Sequence, residues 1–490
     1  MPGNKGKVGL TKLEMVLAVL FVIALVAAGA SWAMPRAAEV QTVTETIVNT
    51  VTKTIGPGEV VTETVTQTVE KTLTETVTVA APTKPPERKI RLGLLTSLTG
   101  PAAPLGEDQR RAVEIAVDEI NAMGGVFVRE FNAFLQIEVF YGDDQTSREG
   151  AVSAARKLIT QDQVDVIFGG LGSAFGMAAL PVIQENKIPY VPTPSTPLFT
   201  RTEDLTMLDP EKYMVFHYQA TGLMYGAAMA DFVVEVIKPI LAPDRPLRIA
   251  WLYQDSPFGS EYFRGYQLRV EEMNYPLELV YEDKFPVRAT DFRAQLTEAF
   301  AANPDVLFPI GFLGETIPAV QQAVLEIGFD KSKTHIGPLC ACADVVPFYK
   351  NLGREAGEYT TLLAPFSTYT QPVKGVTERV QEFRQKYQER YGALPGLLGA
   401  SAYDAVYIIA RAIYLAGTLD KAAIIEALED VKMDQILLPV KGGKITFDEF
   451  NEVEFDLFVT QMFWDETLQE LRPKVIWPSE LAEAEYIHPS

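Results

Sequence analysis

Short β-branched or apolar runs alternate with amphipathic helical stretches through most of this sequence, and that alternation constrains the fold most tightly. Ile90–Thr96 reads as a strand and Asp108–Met123 as a helix, stopped by Gly124-Gly125. Phe134–Tyr141 is a strand, Arg148–Thr160 a helix, Val164–Phe168 a strand, Ala174–Glu185 a helix and Ile188–Val191 a strand. The pattern restarts after a break, with Arg248–Tyr253, Ser260–Met273, Leu277–Phe285, Asp291–Ala302, Val306–Ile310 and Ile317–Ile327. Strands separated by helices of this length predict parallel βαβ units. Positions 90–490 are too many for one sheet, so two α/β lobes are expected. Two doubly wound, Rossmann-like lobes set their strand C-termini and helix N-termini around a shared cleft, where ligands bind.

The region before Ile90 has another character. A basic stretch (Lys5, Lys7, Lys12) precedes an apolar run, Met15–Met34, of 20 residues without charge. That is long enough to cross a bilayer as one helix, with the N-terminus inside and the rest outside. Residues 1–34 thus form a signal or anchor. Secretory cleavage after Ser31-Trp32-Ala33 fits the small residues there. No cysteine follows, which excludes a lipoprotein anchor. Gly9-Leu10-Thr11-Lys12-Leu13-Glu14 also fits a prepilin-type signal, in which the apolar helix is retained. Residues 35–89 are a Thr/Val-rich stalk and Pro linker: 14 of the 40 residues from Val40 to Val79 are Thr, and no aromatic occurs between Arg36 and Lys89. Apolar residues recur every fourth position, as on a drifting helical stripe or a strand face, and the β-branched composition disfavours the helix. A coiled-coil stalk is the lesser reading. Without aromatics this segment builds no globular core.

Counts narrow the function. The formal net charge of -21 repels phosphate backbones, which argues against nucleic acid as a partner. Three histidines (His217, His335, His488) and two cysteines (Cys340, Cys342) starve a metal site, a catalytic triad or a disulfide framework. No cofactor is implied. Gly170-Leu171-Gly172-Ser173 with Gly176 resembles a dinucleotide loop, yet it is the third βα turn and no acid ends the next strand. Ser173 reads as a helix N-cap or as part of an anion site at a helix N-terminus. Leu171 breaks the nucleophile-elbow pattern. Cys340 and Cys342 are two buried thiols or a tight redox pair. Asp143-Asp144 at a strand end reads as capping.

From Ile90 to about Asp465 the chain resembles the branched-chain amino acid-binding proteins of ABC importers, the type I Venus-flytrap receptors. The resemblance rests on IRLGLLTSLTGPAAPLGEDQRRAVEIAVDEINAMGG, VFYGDDQTSREGAVSAARKLI, VDVIFGGLGSAFGMAALPVIQENKIPYVPTPSTPLFT, DSPFGSEYF, DFRAQLTEAFAANPDVLFPIGF and YDAVYIIARAI, in family order. It implies a type I periplasmic binding protein fold with three hinge crossings. Lobe 1 is expected at residues 90–217 and 363–436, lobe 2 at 218–362 and 437–465, with a C-terminal tail at 466–490.

The resemblance also implies a site. Ser173 would hold a ligand carboxylate, and Pro194, Ser195 and Thr196 would supply a carbonyl and hydroxyls to its carboxylate and ammonium groups. Leu105 would line the wall, with Phe258, Phe312 and Leu313 reaching in from the other lobe. Relatives that bind α-amino acids carry a Glu near Gly337-Pro338, where this chain has Leu339. A buried ammonium without a counter-charge costs several kcal/mol. Either another acid reaches in (Glu315, Asp255 and Asp344 are nearest) or the ligand lacks the amine. The implied function is an extracytoplasmic solute-binding protein, not an enzyme, that delivers an amino acid, amide or small carboxylate to ABC permease subunits. The alternative is a ligand-sensing ectodomain acting through a membrane partner.

Overall fold

The computed structural model describes residues 44–54, 60–70, 87–206, 209–340, 346–373 and 376–489. The apolar run Met15–Met34 lies outside them. Among the described residues, no helix is long and apolar enough to cross a membrane.

The chain divides into two compact units, residues 1–83 and 84–490. In the first, β1 (Thr44–Thr54) and β2 (Val60–Glu70) pair antiparallel, Thr44 opposite Glu70 and Thr54 opposite Val60. β-Branched residues lose χ1 freedom against a helical turn and accept a pleated ladder, which explains strand over helix here.

The second unit starts with β3 (Ile90–Thr96), the hairpin of β4 (Val126–Val128) and β5 (Ala133–Leu135), then β6 (Ile137–Asp143), β7 (Val166–Gly169) and β8 (Tyr190–Pro192). Strands β6-β3-β7-β8 form one parallel sheet. The single strand expected over Phe134–Tyr141 is divided, because Leu135 pairs back with Val126 while Ile137 pairs with Ile90. The helix Ala103–Ala122 buries Leu105, Ala112, Val113, Ala116 and Ile120 along one stripe. Its exit needs glycine: Gly125 has φ +100°, and a Cβ there would lie 2.2 Å from the Leu135 carbonyl oxygen.

A second parallel sheet, in the order β10-β9-β11-β12, uses β9 (Leu247–Gln254), β10 (Leu277–Phe285), β11 (Val306–Ile310) and β12 (His335–Ile336). Trp251 of β9 is fully buried, with ring centroids of Phe308, Tyr266 and Phe263 at 4.6, 5.2 and 5.4 Å. Leu339 bridges to Leu362 in β13 (Thr361–Ala364). Beyond it, β14 (Lys432–Asp434) and β15 (Lys444–Thr446) form a small hairpin. Strands β16 (Phe458–Asp465) and β17 (Glu470–Trp477) then join β13 in an antiparallel sheet. Strand β17 thus falls within residues 466–490, which also reach β12 and β16: Tyr486 Oη lies 3.2 Å from His335 Nδ1, and Gln461 Nε2 donates to the Ile487 carbonyl at 2.8 Å.

Residues 437–456 make these contacts with Asp404 and with residues 200–218. The Asp404 carboxylate accepts from the N–H groups of Leu437 (3.1 Å) and Leu438 (3.0 Å), Phe447 packs on Phe216, and Phe455 on Tyr218. Glu452 accepts from Thr200 Oγ1 at 2.7 Å and Arg201 Nη2 at 2.8 Å. Cys340 is disulfide-bonded; the sequence holds one other cysteine, Cys342, outside the described residues.

Candidate ligand site

The site begins where β7 turns into the helix Ser173–Glu185. Gly169 and Gly170 at the turn have φ of +85° and +93°, which L side chains resist. Gly172, not Ser173, is the N-cap, with extended backbone, and Ser173 is the first helical residue. Its hydroxyl is therefore not spent on capping. Ser173 Oγ is buried and has no hydrogen-bond partner. The first N–H groups of that helix add positive potential at the same point.

Ser195 lies on the loop after β8. Its carbonyl accepts from the Gly222 N–H at 2.7 Å, while its Oγ is buried without a partner. Both serines line one small cavity of about 30 Å³, together with Leu171, Thr193, Pro194, Gln219, Tyr225, Phe258, Tyr262, Phe312, Leu397 and Leu398. By the same measure one water takes about 10–15 Å³, so the cavity has room for two or three. Four rings form a continuous wall. Tyr225 stacks on Tyr262 (5.0 Å between centroids), Tyr262 lies 4.9 Å from Phe258, and Phe258 4.8 Å from Phe312. Leu105, Leu171 and Leu398 form a small apolar cluster against which Phe312 packs.

Of the residues named from sequence, Ser173, Pro194, Ser195, Phe258 and Phe312 line the cavity, and Leu105 backs it. Thr196 is buried next door, with Oγ1 accepting from the Leu198 N–H at 3.4 Å. Leu339 is fully buried in the core and is not among the lining residues. Leu313 begins the helix Leu313–Gln321. Of the three acids, Asp344 lies outside the described residues. Asp255 is 67% exposed, 3.8 Å from Lys284 Nζ. Glu315 is buried with Oε1 accepting from Gln254 Nε2 at 3.0 Å and from the Arg288 N–H at 2.7 Å. Neither Asp255 nor Glu315 lines the cavity, and among the described residues no carboxylate, Lys or Arg does.

Three other lining oxygens are engaged. Thr193 Oγ1 donates to the Gly170 carbonyl (2.9 Å) and accepts from Gln109 Nε2 (3.1 Å). Gln219 Oε1 accepts from the Ala220 N–H (3.0 Å) and from Tyr225 Oη (3.4 Å). The Pro194 carbonyl accepts from His217 Nε2 at 2.5 Å. Burial holds His217 below the ordinary imidazole range, so it is neutral.

Sequence reasoning missed Leu171, Thr193, Gln219, Tyr225, Tyr262, Leu397 and Leu398. Tyr262 was within reach, being one helical turn after Phe258. Leu397 and Leu398 were not, because they open the helix Leu397–Ala416, more than 200 positions from Ser173. That opening is set by Asp108, whose carboxylate accepts from Gly399 N–H (2.7 Å) and Tyr387 Oη (2.9 Å). Burial pushes Asp108 up to about 6.

A family model described as periplasmic binding protein matches residues 89–466. The chain is 26% identical over 410 residues to the Leu/Ile/Val-binding protein homolog 7 of Brucella abortus, covering 81% of this chain and 94% of that protein. Among solved structures it is similar to the branched-chain amino acid transporter substrate binding protein of Streptococcus pneumoniae in complex with isoleucine. The TM-score is 0.64 at 23% identity, covering 80% of this chain and 100% of that one. A solute binding protein of an ABC transporter from Rhodopseudomonas palustris, in complex with 3,4-dihydroxy benzoic acid, gives a TM-score of 0.64 at 20% identity, with 81% and 98% covered. The matched span takes in both parallel sheets and every cavity-lining residue, and on it the chain belongs to the periplasmic binding protein family.

Proposed function

We propose that this chain is the extracytoplasmic solute-binding component of an ABC importer, capturing a small carboxylate or amide between its two lobes and handing it to permease subunits. The observation that carries this reading is the pair of buried, partnerless hydroxyls, Ser173 Oγ and Ser195 Oγ, facing one cavity beside a helix N-terminus. Buried polar groups cost free energy unless satisfied, and an anionic or amide oxygen placed there would satisfy both. The relatives support it: one is named for leucine, isoleucine and valine, and the solved neighbours hold isoleucine and 3,4-dihydroxy benzoic acid.

A cavity of about 30 Å³ is too small for such a molecule, so the lobes part to admit it and reclose on it. The ligand favours closure only by binding the closed state better than the open one. Met15–Met34 anchors the module to the outer face of the cytoplasmic membrane, and the Thr/Val-rich segment spaces the lobes from the bilayer. Native mass spectrometry of the purified chain tests the reading. A small organic molecule retained by the native chain and lost on Ser173→Ala supports it, and a chain that neither carries nor takes up small carboxylates or amides would sink it.

A further inference from the structure

The aromatic wall of the cavity stands on two helices that touch through their backbones. Tyr225 belongs to the helix Gly222–Phe232, and Phe258 and Tyr262 to the helix Pro257–Met273. Glycine is an unfavourable residue inside a helix, so Gly226 of the first and Gly265 of the second call for a packing reason. Each has one. A Cβ on Gly226 would lie 2.0 Å from the Tyr262 carbonyl oxygen and 2.5 Å from the Tyr266 nitrogen. A Cβ on Gly265 would lie 2.4 Å from the Leu223 carbonyl oxygen. Gly222, one turn before Gly226, is nearly as tight, with 2.7 Å from such a Cβ to Glu261 Cβ.

Gly226 thus follows one wall tyrosine in sequence and meets the main chain of the other. Their backbone contact sets how far apart Tyr225 and Tyr262 stand, and the two rings stack at 5.0 Å with 11° between their planes. Tyr225 is also tied through Oη to Gln219 Oε1 at 3.4 Å, so a wider seam is felt at Tyr262 and Phe258. The first helix reaches the polar end of the cavity as well. The Gly222 N–H donates to the carbonyl of Ser195 at 2.7 Å, the residue whose buried hydroxyl lines the cavity without a partner. One interhelical distance therefore bears on both the apolar wall and the polar end.

We propose that the glycine seam between these helices gauges ligand length: by holding Tyr262 and Phe258 close, it limits the apolar body the cavity accepts. Gly226 is a positioning residue that acts through Tyr262. The inference rests on the solute-binding reading of the Ser173–Ser195 site.

A methyl group on Gly226 reaches ordinary contact only if the helices part by about 1 Å or more. Calorimetric titration of the full chain tests the consequence with three homologous series: unbranched carboxylates from acetate to hexanoate, their primary amides, and α-amino acids from glycine to norleucine. Whichever series binds has an optimal length, because an apolar pocket discriminates about tenfold or more per methylene. The expected result is that Gly226→Ala moves this optimum at least one methylene longer, the longer member gaining about fivefold or more relative to the wild-type optimum. If Gly226→Ala does not fold, Gly222→Ala takes its place and shifts the optimum the same way. Gly357→Ala is the control: its Cβ would lie 2.4 Å from Leu471 Cδ1, away from the lining residues, so it lowers the melting temperature and leaves the optimum in place. An unchanged optimum in the folded seam variant overturns the proposal, and so does an equal shift in Gly357→Ala, which would assign it to general loosening. If no series binds the wild-type chain, or binding ignores Ser173→Ala, the Ser173–Ser195 site itself fails, a distinct outcome from an unmoved optimum.

Discussion

Arg288 Nη2 donates to the Thr146 carbonyl oxygen at 2.6 Å, joining the loop after β10 in one lobe to the loop after β6 in the other. On another stretch of the cleft, Arg264 Nη1 donates to the Glu203 carbonyl at 3.1 Å. Because both acceptors are main-chain oxygens, these two hydrogen bonds depend on the arginines and not on side chains opposite. Glu315 holds the Arg288 loop by accepting its N–H at 2.7 Å, and Arg288 has φ +70°.

Arg288→Ala removes one such contact from the closed state only. A hydrogen bond of this kind contributes about 0.5–1.5 kcal/mol net, so ligand affinity should fall roughly two- to tenfold. Small-angle scattering of the ligand-free variant should show a larger radius of gyration. Unchanged affinity and scattering would remove Arg288 from the closure mechanism.

Ser173→Ala and Ser195→Ala have opposite effects with and without ligand. Each loses a buried hydrogen bond to the carboxylate, about 1–3 kcal/mol or roughly five- to a hundredfold in Kd. Without ligand, each deletes a buried hydroxyl that has no partner, so the melting temperature should hold or rise. Differential scanning calorimetry with and without ligand separates the two. A fall in the ligand-free melting temperature would show that the hydroxyls serve the fold.

Stability should decline between mildly acidic and neutral pH. Burial pushes the Asp404 carboxyl up to about 7, although Leu438 N–H and Tyr218 Oη both donate to it. An unfolded Asp loses its proton near pH 4, at about 3.9. Between roughly pH 4 and 7 the folded chain thus binds more protons than the unfolded chain, and stability falls as pH rises through that window. Asp108, raised to about 6, adds a contribution of the same sign. Asp404→Asn should flatten the decline in melting temperature across this range. An unaltered slope would assign it to other groups.

Trp251→Ala should cost about 3–5 kcal/mol, the range for emptying a large aromatic site in a packed core. Trp251 is fully enclosed by Phe308, Tyr266 and Phe263. Urea unfolding followed by circular dichroism would measure it, and a loss below 1 kcal/mol would mean the second lobe repacks freely. The strand carrying Trp251 was legible beforehand as Arg248–Tyr253 and forms as Leu247–Gln254. A parallel strand covered on both faces is a continuous apolar run. Boundaries were less legible where two partners competed for one segment, as at Leu135 and Ile137. Only the three-dimensional arrangement says which strand each residue meets.

Local chemistry determined the alternation of strand and helix, the break between two lobes, the strands Thr44–Thr54 and Val60–Glu70 and the helix N-terminus at Ser173. These follow from side-chain period and backbone preference, which act over a few residues. The tertiary structure decided that Gly172 caps that helix and leaves the Ser173 hydroxyl without a partner. It brought Gln219, Tyr225, Leu397 and Leu398 to the same cavity, and it turned Glu315 to a loop contact while leaving Asp255 in solvent. It also set His217 on the Pro194 carbonyl, a contact between residues 23 positions apart. Which acceptor is free and which carboxylate is buried depends on what packs against it. That is a property of the folded chain, because burial and hydrogen-bond partners are supplied by residues distant in sequence.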